Sequence, residues 1–99
     1  MVRHVVMWKF KSDADLTPIE VAESMKGKFE GLKGQIPGMI DLEIGINRNE
    51  SATSFDLVLT ADFQDWDSLA AYKINPLHIE VSELCQYYKE ARARVDYEK

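Results

Sequence analysis

The segment from Val2 to Phe10 alternates in the manner of a β-strand and carries apolar groups on both of its faces. One face holds Val2, His4, Val6, Trp8 and Phe10. The other face holds Arg3, Val5, Met7 and Lys9. A sheet containing such a strand has to be covered on both sides. Because the helices of one short chain cover only one side, we expect a second copy of the chain to cover the other.

The chain has 99 residues, which predicts a single domain over residues 1–99. A domain of this size has a modest core, and oligomerisation is a common way to stabilise it. The net charge is −5, and Glu90 interrupts the densest basic run, from Lys89 to Arg94. Neither nucleic acid nor an anionic membrane is therefore expected as a partner, because both require clustered basic residues.

Cys85 is the only cysteine, so the chain has no internal disulfide framework, and a reducing compartment is favoured. The opening residues Met1 to Val5 lack the long apolar run of a signal peptide. No stretch reaches the length of a membrane span. We therefore expect a cytoplasmic protein.

The first helix is predicted to begin at Thr17-Pro18-Ile19-Glu20. Thr17 can cap it, Pro18 suits the first helical position, and Glu20 completes a capping box. Apolar residues then recur at helical spacing, at Ala22, Met25, Phe29, Leu32 and Ile36. The pair Pro37-Gly38 ends the helix and turns the chain.

Two strands are predicted next, and they form a hairpin. The first runs from Met39 to Ile46, with an apolar face made of Ile40, Leu42, Ile44 and Ile46. After the polar connection 47–54, the second runs from Phe55 to Phe63, with Phe55, Leu57, Leu59, Ala61 and Phe63 on one face.

A helix broken in two is predicted to follow. Asp65 can cap a short helix that ends at about Lys73, and Asn75-Pro76 restarts it. The apolar stripe of the second part is Leu77, Val81, Leu84 and Tyr88. The alternating segment from Ala91 to Tyr97 predicts a closing strand.

The predicted order is β-α-β-β-α-β, the ferredoxin-like arrangement of the α+β class, with four antiparallel strands and the helices on one face. Two such sheets facing each other would give a dimeric α+β barrel. We therefore expect a homodimer formed through the sheet face.

Several segments resemble the stress-responsive A/B barrel family. The opening Arg3 to Phe10 is similar to its first strand, Leu32 to Gly38 to its helix end, and Glu43-Ile44-Gly45 to its second strand. Residues Tyr72 to His78 resemble its Tyr-x-x-His-Pro-x-His segment, although Asn75 stands where many members carry a first histidine. Val95-Asp96-Tyr97 is similar to the end of its last strand. The resemblance covers nearly the whole chain and implies a tight homodimeric α+β barrel.

The resemblance also implies candidate site residues. In a polyketide cyclase subgroup of the family, residues matching His4, Tyr72 and His78 line one pocket between sheet and helices. The residue matching His78 is the general base there, and the residue matching Tyr72 helps to hold the developing oxyanion. A histidine near a helix N-terminus stays neutral more readily, as a base requires.

Other interpretations stand beside this one. A buried histidine and tyrosine can simply hydrogen-bond to close the space between helix and sheet. The third-strand histidine of the cyclase pocket is matched by Leu57 here. Whether the chain is an enzyme therefore stays open. The alternatives are a homodimer that binds a small hydrophobic or aromatic molecule, and a cofactor-independent lyase that uses His78 as base.

The residues predict no metal site and no cofactor. His78 and Glu80 form a His-x-Glu pair, but the Pro-Cys-x-x-Cys segment that accompanies it in zinc deaminases is absent from the sequence. Cys85 lies two helical turns after His78 and has no visible activating base, so a core cysteine is expected.

Overall fold

The computed structural model describes residues 1–13 and 15–99, which contain four strands and three helices. The order is β1 (Val2–Phe10), α1 (Pro18–Glu30), β2 (Met39–Ile46), β3 (Leu57–Phe63), α2 (Trp66–Lys73), α3 (Pro76–Tyr88) and β4 (Lys89–Glu98). The strands form one antiparallel sheet in the order β2-β3-β1-β4. The predicted ferredoxin-like order, the hairpin of β2 with β3 and the break between α2 and α3 are confirmed.

The core lies between the helices and one face of the sheet. From β1 it takes Val2, Val6, Trp8 and Phe10, together with the buried residue His4. Helix α1 adds Phe29, whose ring stacks on Trp8 with a centroid distance of 5.2 Å. Thr17 forms the predicted capping box with Glu20 and so fixes where α1 begins. None of the helices in the described residues is long and apolar enough to span a membrane.

The predicted inward face of β2 is wrong at its first residue. Ile40 is 56% exposed, and Met39 packs against the core in its place. The pairing with β3 shifts register between Met39 and Asp41, so Ile40 is an extra residue in the ladder. Such a bulge reverses the alternation locally, because side chains change face with a period of two.

The predicted stripe of α3 is also displaced. Leu77 and Leu84 are exposed, whereas Val81 and Cys85 are buried. Neighbouring helical residues differ by about 100° in direction, so a small rotation exchanges one set for the other. The helix thereby turns His78 and Cys85 toward the sheet.

Element boundaries differ from expectation at three places. Helix α1 ends at Glu30, and Leu32 and Ile36 reach the core from the turns that follow it. Strand β3 begins at Leu57 rather than Phe55. Strand β4 begins at Lys89, directly after α3, so no loop separates the last helix from the sheet.

Among the residues that the structure describes, no helix covers the other face of the sheet. The apolar side chains that point to this open face include Val5 and Met7 of β1 and Val95 of β4, with Met7 38% and Val95 54% exposed. Asp62 of β3 is buried on the same face, where Arg3 binds its two oxygens at 2.9 and 3.1 Å. The ion pair satisfies the carboxylate and leaves the apolar side chains as the uncovered part.

Gly38, directly before β2, provides a test of how closely the turn into β2 packs against α2. Its φ is 80°, and a Cβ at this position would lie 2.5 Å from the Cβ of Ser68 in α2. Gly34 has a similar φ of 77° but open space around it. We expect Gly34→Ala to cost only the left-handed backbone term, about 1–2 kcal/mol. Gly38→Ala should cost about 1–3 kcal/mol more because of the clash.

Urea denaturation of both variants measures the difference. Equal free energies of unfolding for the two variants would contradict the close approach of Gly38 to α2.

Candidate functional site

The three predicted site residues come together between the sheet and the helices α2 and α3. Tyr72 lies in the last turn of α2, which Asp65 caps by accepting from the backbone N–H of Ser68 at 2.8 Å. His78 lies in the first turn of α3, which Asn75 caps by accepting from the N–H of Leu77 at 2.9 Å. The helix break therefore brings these two rings into contact, with centroids 4.1 Å apart.

His4 reaches the same place from β1. Its ring lies 6.0 Å from that of Tyr72 in an edge-on arrangement, and its Nδ1 lies 2.5 Å from Oδ1 of Asp96 in β4. Burial lowers the pKa of His4, although the hydrogen bond with Asp96 opposes the shift. Burial is the largest single influence on Asp96 and acts to raise its pKa, but the hydrogen bond from His4 together with the charges of His4, Lys73 and Arg94 lowers the pKa overall. A neutral His4 therefore donates from Nδ1–H to an ionised Asp96, which leaves its Nε2 as an acceptor.

His78 carries an unsatisfied polar atom. Its Nδ1 is buried and has no hydrogen-bond partner among the described residues. Burial lowers its pKa, with the backbone of Lys73 acting in the opposite direction, so the imidazole is neutral near pH 7. In the tautomer protonated at Nε2, Nδ1 keeps a free lone pair. Buried polar atoms are rarely left without a partner.

Tyr72 is the most deeply buried of the three, with 1% of its surface exposed. Burial raises the pKa of its phenol, which therefore stays protonated and able to donate a hydrogen bond. Burial likewise raises the pKa of Cys85 to about 12, so this thiol is a core residue as the sequence predicts.

The structure adds Asp96 to the site. From the sequence it was noted only within the family-like end of the last strand. The signal that could have found it is the register of β1 with β4, which places Asp96 opposite His4. Lys73 and Arg94 flank its second oxygen at 3.7 and 3.6 Å. At these distances the two cations hold the carboxylate charged rather than bind it tightly.

The arrangement has the parts of an acid–base site. His78 offers a neutral nitrogen, Tyr72 offers a protonated phenol, and Asp96 orients His4. No hydrogen bond joins the side chains of His4, Tyr72 and His78 among the described residues, so the three rings meet by packing. His78 is partly exposed, and a molecule arriving from solvent would reach it first.

The main clefts lie elsewhere. The largest of them, about 510 Å³, is on the open face of the sheet and is lined by residues that include Met7, Gly45, Phe55 and Val58. A smaller cleft of about 220 Å³ adjoins it along Val5, Ala93 and Val95. None of the five best-defined clefts in residues 1–13 and 15–99 is lined by His4, Tyr72 or His78. The same residues contain no group of three histidine, cysteine or acidic side chains that could hold a metal ion.

His4 and His78 predict a pH-dependent stability. Their pKa values in the folded protein are below the ordinary value of 6.5, so the unfolded chain binds protons more readily. The free energy of unfolding should therefore fall as the pH falls below about 6.5. In His78→Gln the decline should be shallower, because one of the two groups is gone.

Urea unfolding at pH 7.5 and at lower values down to about pH 5 measures this slope. Carboxylates do not contribute to this slope. Arg3 lowers the pKa of Asp62, for example, so Asp62 loses its stabilising charge only in stronger acid than pH 5. Identical slopes for the wild type and His78→Gln would show that His78 does not resist protonation.

Comparison with known proteins gives a family and a fold. The family model described as the stress responsive A/B barrel domain matches residues 2–99. The sequence has no significant match among curated proteins.

Three solved structures are similar. A dimeric protein of unknown function with a ferredoxin-like fold from Bacteroides fragilis has 30% identity and a TM-score of 0.84, over 99% of this chain and 95% of that one. A dimeric ferredoxin-like protein of unknown function from Thermobifida fusca has 20% identity and a TM-score of 0.84, over 99% and 90%. The hydroxynitrile lyase of Passiflora edulis has 17% identity and a TM-score of 0.79, over 97% and 90%.

Proposed function

The chain belongs to the stress responsive A/B barrel domain family, and from this membership and its own geometry we propose a homodimer that binds one small molecule per subunit at His78 and Tyr72. The single observation that carries the binding site is the buried, unpartnered Nδ1 of His78. The ligand is a hydrophobic or aromatic molecule with an oxygen that can accept from Tyr72.

The open face of the sheet supports the dimer. Val5, Met7 and Val95 form a contiguous apolar surface across β1 and β4, and the larger cleft extends it toward β2 and β3. Contiguous exposed apolar surface of this kind marks an interaction site. A second copy related by a two-fold axis would place the same patch against itself. The similar Bacteroides protein, at 30% identity, is described as dimeric.

Val95→Arg tests the dimer. The substitution puts a charge in the middle of the proposed interface, where its desolvation opposes association. We expect the mass measured by sedimentation equilibrium at micromolar concentration to fall from twice 11.4 kDa in the wild type to 11.4 kDa in the variant.

Ile79→Arg is the matched control. Ile79 is an exposed residue of α3 on the helical side of the sheet, so this variant should remain dimeric. A wild type that sediments at 11.4 kDa would refute the dimer, and dissociation by both variants would refute its placement on the open face.

The site itself supports a small ligand rather than a macromolecule. Tyr72 and His4 are buried, so the surface of a macromolecule could not reach them. A neutral His78 and a protonated Tyr72 supply no negative charge, so nothing in these two side chains balances a permanent cation. An uncharged carbonyl or phenol oxygen is the group that a protonated Tyr72 binds best in such a place.

Phenylacetone is a suitable probe because it combines an aromatic ring with one carbonyl. We expect it to shift the imidazole resonances of His78 in NMR titrations of the dimer. Tyr72→Phe should weaken binding by about tenfold, as expected for one hydrogen bond. Ile79→Gln, on the exposed side of α3, is the control and should bind as the wild type does. Unchanged His78 resonances at millimolar probe would refute the binding site.

Proton transfer is the second candidate function. It is favoured by the contact of the neutral imidazole of His78 with the protonated phenol of Tyr72. The hydrogen bond between His4 and Asp96 favours it as well. Nδ1 of His78 would take a proton from the carbon beside a carbonyl while Tyr72 donates a hydrogen bond to the enolate oxygen, and the proton would then return to the carbon. Exchange of the methylene protons of phenylacetone in D₂O reports this step. Loss of the exchange in His78→Gln supports the enzyme, and exchange at the buffer rate in the wild type refutes it for this probe.

A further inference from the structure

The cleft of about 510 Å³ on the open face of the sheet, here called the open-face cleft, lies on the side opposite to His78. Its floor is one row of paired residues across three strands, in which Val58 of β3 pairs with Gly45 of β2 and with Met7 of β1. The connection between β2 and β3 supplies a wall that consists of Asn47, Thr53, Ser54 and Phe55. The cleft is therefore formed within a single subunit.

Gly45 keeps the floor of the open-face cleft low. A Cβ at this position would lie 3.1 Å from Cγ1 of Val58, closer than ordinary van der Waals contact. The φ of Gly45 is not positive, so the backbone conformation does not itself require glycine. The absence of a side chain therefore provides space above the sheet rather than freedom of the backbone.

The lining of the open-face cleft carries no charge. None of its nine residues is acidic, basic or histidine. A neighbouring cleft, in contrast, is lined by residues that include Lys9, Arg48, Glu50 and Asp56. An ionised group that entered the open-face cleft would lose water without gaining an opposite charge. The lining therefore favours an uncharged molecule.

The polar side chains at the rim are already hydrogen-bonded within the loop. Oδ1 of Asn47 accepts from the backbone N–H of Asn49 at 3.2 Å. The hydroxyl of Ser54 donates to the carbonyl of Ser51 at 3.0 Å, and the hydroxyl of Thr53 lies 3.3 Å from that of Ser51. Since these groups are engaged with one another, the cleft offers mainly apolar surface to a ligand.

Two side chains of the lining favour an aromatic ring. Met7 is 38% exposed and Phe55 is half-buried, so both have surface that a ligand can cover. A thioether and a phenyl ring each make favourable contacts with an aromatic ring. These contacts and the lack of charge together indicate an uncharged aromatic molecule.

The size of the cleft favours a small molecule over a side chain of a second copy. Sites for small molecules are mainly apolar clefts of roughly 300–1,000 Å³, a range that includes this one. A single side chain from a partner would leave much of the volume empty, and empty space forgoes packing contacts. Met7 also lines the smaller cleft beside Val5 and Val95, so a second copy seated there would border the ligand.

We propose that the open-face cleft binds an uncharged aromatic molecule, which lies over Gly45 and Val58 between Met7 and Phe55. This site is distinct from the one proposed at His78, because the two lie on opposite faces of the sheet. The inference goes beyond the proposed function and does not depend on it.

2-Acetylnaphthalene and 2-naphthoate test the proposal, because they share two rings and nearly the same shape but differ in charge. The readout is NMR of protein labelled with carbon-13 in its methionine methyl groups. We expect the ketone to shift the Met7 methyl resonance with a dissociation constant below about 1 mM. It should bind at least about tenfold more tightly than the carboxylate. Met25, which is buried beneath the helices, should not respond. Equal binding of the two probes would overturn the proposal.

Val58→Phe and Thr60→Phe locate the binding. Both residues lie on β3 and face the same way, since Val58 pairs with Met7 and Thr60 pairs with Val5, but only Val58 lines the cleft. The new phenyl group of Val58→Phe would occupy the cleft and should weaken binding of the ketone at least about tenfold. Thr60→Phe is the matched control and should bind as the wild type does. Equal weakening in the two variants would contradict the placement.

Sedimentation with and without the ketone separates a ligand from a second copy. We expect binding to leave the mass unchanged. A Met7 shift accompanied by a fall from twice 11.4 kDa to 11.4 kDa would show that the ketone displaces a partner from the cleft, which overturns the proposal. Shifts of the His78 imidazole resonances without a shift of Met7 also overturn it and leave binding at His78 intact. A Met7 shift in a wild type that is monomeric throughout would refute the dimer and retain the open-face site.

Discussion

Strand β1 lies inside the sheet, and every other part of the structure is positioned relative to it. It pairs with β3 on one side and with β4 on the other, so both of its edges are satisfied by hydrogen bonds. One face contributes Val6, Trp8 and Phe10 to the core beneath the helices. The opposite face has no helix over it. A central strand that is apolar on both faces contributes to a core on one side and leaves uncovered apolar side chains on the other.

The same strand links the core to the candidate site. His4 is part of the inward face of β1, and the antiparallel register sets Asp96 opposite it. Strand β4, which carries Asp96, continues directly from α3, which carries His78. The position of the strand therefore limits where the helix can lie. The site is thus assembled from β1, its neighbour β4 and the break between α2 and α3, and a shift in the β1–β4 register would separate His4 from Asp96.

Burial sets the protonation states of His4, Tyr72 and His78. Neutral imidazoles and a protonated phenol are the forms that survive out of water, and burial is the largest influence on the pKa of His4, Tyr72 and His78. The Nδ1 atom of His78 is also buried and has no hydrogen-bond partner among the described residues. Such an atom is an exception in folded proteins, where most buried polar groups are hydrogen-bonded.

The amino-acid sequence determined the order of the elements, because local signals carry it: the capping box at Thr17, the Asn75-Pro76 restart and the two apolar faces of β1. It also placed His4, Tyr72 and His78 as candidates, through their resemblance to a family. Only the tertiary structure decided which face each element turns inward. The bulge at Ile40, the rotation of α3 toward Cys85, and the pairing of His4 with Asp96 depend on register and packing between segments distant in the chain. Local periodicity carries no information about such contacts, since a shift of one residue or a small helical rotation satisfies the same pattern.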